Sequence, residues 1–332
     1  MQRTRPDLAS YADPVGGWST SLANVAEVMV PCIELVDARS VIEIGAYNGD
    51  LTRLLADWAA RAEARVLAID PAPKPGLVRL EKERDEVELS RETSREALRH
   101  VELADVVIID GDHNYWTVSE ELRLLSERAG GTDLPLLMFH DVGWPHAFRD
   151  DYFDARLIPE DHRHPVAGPD ERRGLYPDDP GLRPGGLPYP RSAAREGGPR
   201  NGVRAAVEDF LEGRQGLRFV RVPAFFGFGV VWREDTPWAE KMAEFLEPWD
   251  ENPVIARLEA NRVRLLADMQ VQAAELWRER ERRIRQEALL RRLLESSAFA
   301  LAERLSRLRV RAGIARGQRA ITRAEVRRAL RD

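Results

Sequence analysis

The chain has little of what marks a secreted or membrane protein in sequence. Cys32 is its one cysteine, so no disulfide can form within the chain, which fits a reducing compartment. No apolar run approaches the ~18–20 residues that a membrane-spanning helix needs. The N-terminal residues also lack the apolar core of a signal peptide. We therefore expect a soluble, cytoplasmic protein with no transmembrane segment.

Lysine is scarce as well, and the basic residues are unevenly distributed. The 332-residue chain has a net charge of −6, yet residues 251–332 contain 20 arginines against 11 acidic residues. That C-terminal part therefore carries +9 and residues 1–250 carry −15. An acidic main part disfavours a nucleic-acid substrate, because phosphate backbones bind to basic faces.

Short apolar runs alternate with segments of helical spacing through the first 140 residues. The runs at residues 40–45, 65–70, 87–89, 105–110 and 134–139 predict five buried strands. Segments 22–36, 50–61, 96–103 and 117–129 show apolar residues at helical spacing. This order predicts an α/β fold with a doubly wound parallel sheet.

Residues 146–200 interrupt this pattern, because they are rich in proline, glycine, arginine and aspartate. A segment of this length is typical of a lid or substrate loop. We expect His146, His162 and His164 in it to be solvated or substrate-facing. Residues 201–211 then predict a helix, and residues 217–222 and 228–232 predict a hairpin added antiparallel to the sheet.

The last hundred residues predict helices only. We divide the chain into an N-terminal extension (1–19), a main domain (20–233, with the insert 146–200) and an arginine-rich helical extension (234–332). An imperfect heptad pattern in the extension leaves a coiled coil open, and with it a homo-oligomer. Thr322 and Glu325 have capping-box spacing, which predicts a short final helix.

A glycine-containing motif follows the first predicted strand. Glu43, Gly45 and Gly49 have the spacing E-x-G-x-x-x-G, which differs from dinucleotide-binding and P-loop motifs. The two glycines let the backbone turn tightly and approach a ligand closely. Asp70 ends the second strand, where a carboxylate can accept ribose hydroxyls or simply cap a turn.

These motifs, with Asp110-Gly-Asp112-His113-Asn-Tyr115 after the fourth strand and His140-Asp141 after the fifth, resemble class I S-adenosylmethionine (SAM)-dependent methyltransferases. The resemblance is to a subgroup that includes O-methyltransferases of natural products and sugars. It implies a Rossmann-like, mostly parallel sheet ending in an antiparallel hairpin, with methylation of a hydroxyl on a small-molecule or glycan acceptor. The implied SAM-binding residues are Glu43, Gly45, Tyr47, Gly49, Asp70, Thr93, Ser94 and Asp110.

The resemblance also implies a catalytic pair and a metal site. In cation-dependent O-methyltransferases, acidic and amide side chains that end the fourth and fifth strands bind a divalent metal such as magnesium. The matching residues are Asp110, His140 and Asp141, and imidazole in place of a carboxylate favours manganese, iron or zinc over magnesium. His113 matches the position of the base that acts beside Asp110. Both histidines can alternatively serve only as hydrogen-bond partners of loop backbone.

Two other functions remain open on sequence alone. His113 and His140 with one aspartate have the composition of a 2-His-1-carboxylate iron site, as in a non-haem hydroxylase. A non-catalytic scaffold that binds a partner through its basic helices is the second alternative.

Overall fold

The computed structural model describes residues 21–130, 133–166, 173–313 and 321–330. The predicted N-terminal extension, residues 1–19, lies outside these ranges. The chain divides into two compact units, residues 1–268 and 269–332. No helix within the described ranges is both long enough and apolar enough to cross a membrane.

A seven-stranded sheet forms the centre of the first unit. The strands of the described ranges are β1 (Ser40–Ile44), β2 (Arg65–Ile69), β3 (Val87–Ser90), β4 (Val106–Ile109), β5 (Leu136–Phe139), β6 (Arg173–Tyr176), β7 (Asp179–Pro184), β8 (Leu217–Val222) and β9 (Phe228–Arg233). The large sheet has the order β3-β2-β1-β4-β5-β9-β8. Strands β1 to β5 are parallel, whereas β9 pairs antiparallel with both β5 and β8. The predicted Rossmann-like sheet with its antiparallel last hairpin is confirmed.

Helices cover both faces of this sheet. They are α1 (Ala26–Leu35), α2 (Asp50–Ala62), α3 (Pro75–Glu83), α4 (Ser94–Ala97), α5 (Tyr115–Arg128), α6 (Val203–Leu211) and α7 (Ala239–Leu246). Successive residues of a strand face opposite sides. Val106 and Ile108 of β4 thus pack with α1, α2 and α7, whereas Val107 and Ile109 pack with α5 and α6. The sheet is buried on both faces, as its apolar strands predict.

Three helices differ from the sequence prediction. The helix predicted over 96–103 is the single turn α4, after which the chain closes a tighter turn from the His100 N–H to the Ala97 carbonyl, 3.0 Å. Helix α3 was not predicted, because its apolar stripe consists mainly of Leu77 and Leu80. Helix α5 begins two residues early, because the Asn114 side chain caps it by accepting the Thr117 N–H.

The insert is more regular than its composition predicts. Strands β6 and β7 form a two-stranded antiparallel sheet within it, and 3-10 turns lie at Ala155–Leu157 and Glu160–His162. Arg149, near the start of the insert, is fully buried. Its guanidinium donates to the carbonyls of Ala193, 2.6 Å, and Pro180, 2.8 Å. A buried arginine thus holds a segment that has few apolar residues of its own.

The C-terminal helices are α8 (Pro253–Glu295), α9 (Ser297–Arg311) and α10 (Arg323–Ala329). The predicted capping box of Thr322 and Glu325 is confirmed at the start of α10. Residues 253–268 of α8 belong to the first compact unit, where Val263 and Ala267 pack against Phe226 and the insert. The coiled coil and the domain boundary at residue 233 stay predictions.

Candidate functional site

The carboxyl ends of β1, β2 and β4 open into one cleft of about 1240 Å³. In an open α/β sheet this edge is where ligands bind. Of the residues predicted for cofactor, metal and base, only Gly49, His140 and Asp141 do not line the cleft. The fold therefore brings the predicted residues together at one edge.

Gly45 has a packing role beside the predicted one. Its φ is +89°, and a Cβ there would overlap the backbone of Asp110 and Gly111. The absent side chain thus lets the loop after β1 cross the loop after β4, and Gly45 also lines the cleft. Gly49, with φ +87°, is the N-cap of α2.

Glu43 is a buried carboxyl group at the base of the cleft. The residue is 2% exposed, and its Oε2 has no hydrogen-bond partner in the described part of the chain. Burial raises its pKa to about 8, and the neighbouring Asp110 and Asp70 carboxylates add to the rise. A buried carboxyl group of this kind is either protonated or paired with a cationic group of a ligand.

Asp70 joins two loops at the same edge. Its Oδ2 accepts the Tyr47 N–H at 2.6 Å, and its Oδ1 accepts the Ala72 N–H at 2.7 Å. The turn-capping role that the sequence left open is therefore real. Each carboxylate oxygen keeps a second lone pair, so Asp70 can still accept hydroxyls from the cleft.

Thr93 and Ser94 stand where the cleft meets the insert. Thr93 forms a capping box with Glu96 at the start of α4, and Ser94 is buried. The insert closes over this end, because the Phe153 N–H donates to Asp112 Oδ1, 2.8 Å. Phe153, from the insert, lines the cleft.

His140 is enclosed between a carboxylate and a carbonyl. Its Nδ1 lies 2.8 Å from Asp110 Oδ1, and its Nε2 lies 2.8 Å from the Phe225 oxygen. A carbonyl only accepts, so Nε2 carries hydrogen and Nδ1 faces Asp110. Burial lowers the pKa of His140, but Asp110 and Asp141 outweigh it and raise the value to about 10.

His113 and Asp141 form a second pair. His113 Nδ1 lies 3.0 Å from Asp141 Oδ2, which is also 3.5 Å from His140 Nδ1. Although burial raises the pKa of Asp141, the His140 and His113 charges lower it further, for a net decrease. One carboxylate thus faces two imidazoles, and of these His113 reaches the cleft.

The predicted metal ligands are close enough to share an ion. One ligand atom from each of Asp110, His140 and Asp141 lies within 4.8 Å of the others. Nδ1 is the one nitrogen of His140 that can coordinate, because Nε2 donates to Phe225. The donor set is two carboxylates and one imidazole.

Sequence reasoning placed one histidine wrongly and missed two groups. His146 was expected to be solvated or substrate-facing, but it is 1% exposed and stacks on His113, with ring centroids 5.5 Å apart. The Phe225 carbonyl beside His140 is a backbone group and gives no sequence signal. Glu259, which binds the same turn, lies in the segment assigned to the extension.

Residues 42–142, which run from β1 to just beyond β5, match a family described as a methyltransferase domain. The match covers less than a third of the chain. No curated protein matches the chain at a significant level.

Solved structures similar to this chain include a methyltransferase of Podospora anserina with S-adenosylhomocysteine bound. It has 16% identity and a TM-score of 0.43, with 69% of this chain and 85% of that chain covered. A putative caffeoyl-CoA O-methyltransferase of Staphylococcus aureus has 13% identity and a TM-score of 0.36, with 63% and 82% covered. A putative O-methyltransferase of Klebsiella pneumoniae has 16% identity and a TM-score of 0.36, with 68% and 85% covered.

Proposed function

We propose that this protein transfers the methyl group of SAM to a hydroxyl group of a small-molecule or glycan acceptor. The observation that carries the proposal is the cleft above β1, β2 and β4, into which Glu43, Asp70 and His113 converge. The family match of residues 42–142 supports methyl transfer as the reaction. Sugar, glycan or secondary-metabolite hydroxyls are the proposed acceptors.

The residues of the cleft fit SAM group by group. The buried Oε2 of Glu43 has no partner in the described residues and suits the α-ammonium of the methionine part. Asp70 suits the ribose hydroxyls, and Thr93 and Ser94 border the end proposed for adenine. When bound, SAM supplies an electrophilic methyl group on a sulfonium.

His113 is the proposed general base. Asp141 faces its Nδ1, which leaves Nε2 to take the proton of the acceptor hydroxyl. The acceptor oxygen bonds to the methyl carbon as the carbon–sulfur bond breaks, and its proton passes to His113. The chain holds the reactants in line and takes the proton, which is mostly a matter of positioning.

A divalent ion is part of the proposal. Asp110, Asp141 and Nδ1 of His140 would hold it, and an imidazole ligand favours manganese, iron or zinc over magnesium. Such an ion makes a nearby hydroxyl more acidic. The donor set of two carboxylates and one imidazole differs from the 2-His-1-carboxylate set of a hydroxylase, so we favour methyl transfer.

Binding of S-adenosylhomocysteine tests the proposal most directly. Calorimetry is expected to show binding whose affinity rises by up to about tenfold per pH unit below about pH 8, because Glu43, with a pKa of about 8, must lose its proton to pair with the ammonium. Glu43→Gln removes this slope and weakens binding by roughly 10- to 100-fold. The exposed Glu34 provides the control Glu34→Gln.

A second measurement tests the chemistry. Labelled SAM is incubated with a panel of glycosides and phenols, and mass spectrometry follows the gain of one methyl group on oxygen. Absence of S-adenosylhomocysteine binding at millimolar concentration contradicts the proposed function, whichever acceptor is used.

A further inference from the structure

The turn between β8 and β9 is strained at two adjacent aromatic residues. Phe225 has φ +50° and Phe226 has φ +68°. This left-handed region is unfavourable for an L-residue with a Cβ. The turn therefore needs contacts from outside to keep this conformation.

Three hydrogen bonds from other segments hold the turn. The Phe225 carbonyl accepts from Nε2 of His140 at 2.8 Å. The Phe226 carbonyl accepts the Gly143 N–H at 2.6 Å. The Phe226 N–H donates to Oε1 of Glu259 at 2.8 Å. Of the three partners, Glu259 is the one from α8.

Glu259 is itself fixed in place. Its side chain is 15% exposed, and Arg262 binds both of its oxygens, with Nε 2.6 Å from Oε2 and Nη2 2.7 Å from Oε1. The Arg262 guanidinium also lies over the Phe226 ring, 4.5 Å from its centroid. Val263 and Ala267, on the same helix, pack in one apolar cluster with Phe226. A forked arginine–carboxylate pair of this kind is well oriented.

We propose that Glu259 is a positioning residue of the catalytic edge, which it serves by holding the Phe225–Phe226 turn so that the Phe225 carbonyl fixes the ring of His140. A catalytic role for this edge rests on the proposed function, whereas the contacts that hold the turn are independent of it. Glu259 acts through Phe226 and Phe225 and lines no part of the cleft. The beginning of α8 thereby determines which nitrogen of His140 faces Asp110.

The physical reason lies in what a carbonyl can do. As long as the Phe225 oxygen stands at Nε2, that nitrogen must carry hydrogen. Nδ1 is then the atom that meets Asp110 and Asp141, whether it holds a proton or a divalent ion. When the turn relaxes, the carbonyl leaves Nε2 and the ring loses its fixed orientation.

Three substitutions separate the hydrogen bond from charge and from bulk. Glu259→Gln keeps an Oε1 acceptor at the same reach, Glu259→Asp keeps the charge but shortens the reach, and Glu259→Ala removes both. Exposed Glu244 on α7 provides the control Glu244→Gln. The readouts are amide hydrogen exchange of Phe226 and the Nε2–H signal of His140 in isotope-labelled protein, assigned with His140→Gln. Neither readout requires methyl transfer.

We expect Phe226 exchange to quicken by roughly tenfold or more in Glu259→Asp, as for a lost bond to a charged acceptor, with loss of the His140 Nε2–H signal. Glu259→Gln is expected to keep both features. If Glu259→Ala does not fold, the comparison of Glu259→Asp with Glu259→Gln still tests the proposal. The proposal is overturned if Glu259→Asp keeps both the slow Phe226 exchange and the His140 Nε2–H signal. It is also overturned if Glu259→Gln loses them as fully as Glu259→Asp does.

Discussion

His113 Nδ1 and Asp141 Oδ2 lie 3.0 Å apart, and they connect two strands that are neighbours in the sheet. His113 follows β4 and Asp141 follows β5. Asp141 reaches this position with a left-handed backbone, φ +57°, in a site that is 5% exposed. A buried carboxylate behind an imidazole fixes the ring with its other nitrogen outward.

The first prediction concerns this pair. His113→Ala is expected to lower kcat by ~10²–10⁴-fold, the usual contribution of a general base, with little change in S-adenosylhomocysteine affinity. Its pH–rate profile should lose the acidic limb. His162→Ala, in the insert, is the matched control. A kcat equal to that of the unsubstituted protein would assign the base elsewhere.

A divalent ion at the proposed site would have to displace a proton from His140. The pKa of His140 is raised to about 10, so Nδ1 is protonated at neutral pH when no metal is bound. Mn²⁺ affinity is therefore expected to rise with pH, by up to about tenfold per unit, as the competing proton becomes scarcer. Calorimetry at about pH 6.5 and about pH 8.5 measures this, and His140→Gln should flatten the dependence. Equal affinity at both pH values would exclude Nδ1 as a ligand.

Gly45 is predicted to be a folding residue before it is a binding residue. Gly45→Ala should lower the free energy of unfolding by more than the ~1–2 kcal/mol of left-handed strain alone, because its Cβ overlaps the Asp110 backbone. Gly213 also has a positive φ, +75°, but no described atom lies within 4 Å of a Cβ there. Gly213→Ala is thus the control for strain without overlap. Denaturant unfolding compares the two variants. Equal losses in the free energy of unfolding would show that the overlap with the Asp110 backbone contributes nothing.

Glu121 is predicted to destabilise the protein as pH rises. Burial raises its pKa to about 8, and Asp112 adds to the rise. In the unfolded chain Glu121 ionises near its ordinary value, whereas in the folded protein it stays neutral up to about pH 8. The contribution of neutral Glu121 to the free energy of unfolding is thus fully present below the unfolded pKa. It is lost between about pH 4.5 and about pH 8.

Replacement by a neutral isostere should abolish that loss. Glu121→Gln is expected to raise Tm relative to the unsubstituted protein, by an amount that grows from about pH 5 to about pH 8. Glu120 is the matched control, because Arg123 lowers its pKa, and Glu120→Gln should give no such gain. Thermal unfolding across this pH range decides, and a difference independent of pH would contradict the assignment.

The last prediction places the end of the folded main part near residue 268 rather than 233. Met242 and Leu246 of α7 are fully buried in the core beside α1, and each such side chain contributes ~1.5–3 kcal/mol. A chain ending at Asp268 is expected to fold and bind S-adenosylhomocysteine, whereas one ending at Arg233 should unfold more readily. Circular dichroism and calorimetry compare the two. Equal stability of the two chains would instead support a domain boundary at residue 233.

Much of this arrangement is accessible from the sequence, because the information is local. Strands such as 105–110 are continuous apolar runs, and parallel strands deliver their carboxyl ends to one edge. The sequence alone therefore predicts that Asp70, Asp110 and His113 meet at a common cleft. The Asp141–His113 pairing is less accessible, since it depends on a left-handed backbone at Asp141, a conformation that is uncommon for residues other than glycine.

What the sequence conceals depends on contacts between distant segments. The insert looks irregular because its order comes from buried Arg149 and backbone carbonyls, not from an apolar pattern. His146 is buried because the insert folds over it. The Phe225 carbonyl is a backbone group, so no side chain in the sequence indicates its role. Glu259 accepts the N–H of Phe226, although it lies 33 residues further along the chain.

Two carboxylates and two imidazoles stand together at the ends of β4 and β5, and their arrangement bears on the charge balance of the proposed reaction. Asp110 and Asp141 bring two carboxylates to the group, and the raised pKa of His140 adds a positive charge when no metal is bound. In the proposed reaction a sulfonium cation becomes a neutral thioether, while the proton of the acceptor hydroxyl passes to His113. The positive charge therefore changes place without leaving the cleft. Moving an existing charge within a protein site costs less free energy than creating a new one there.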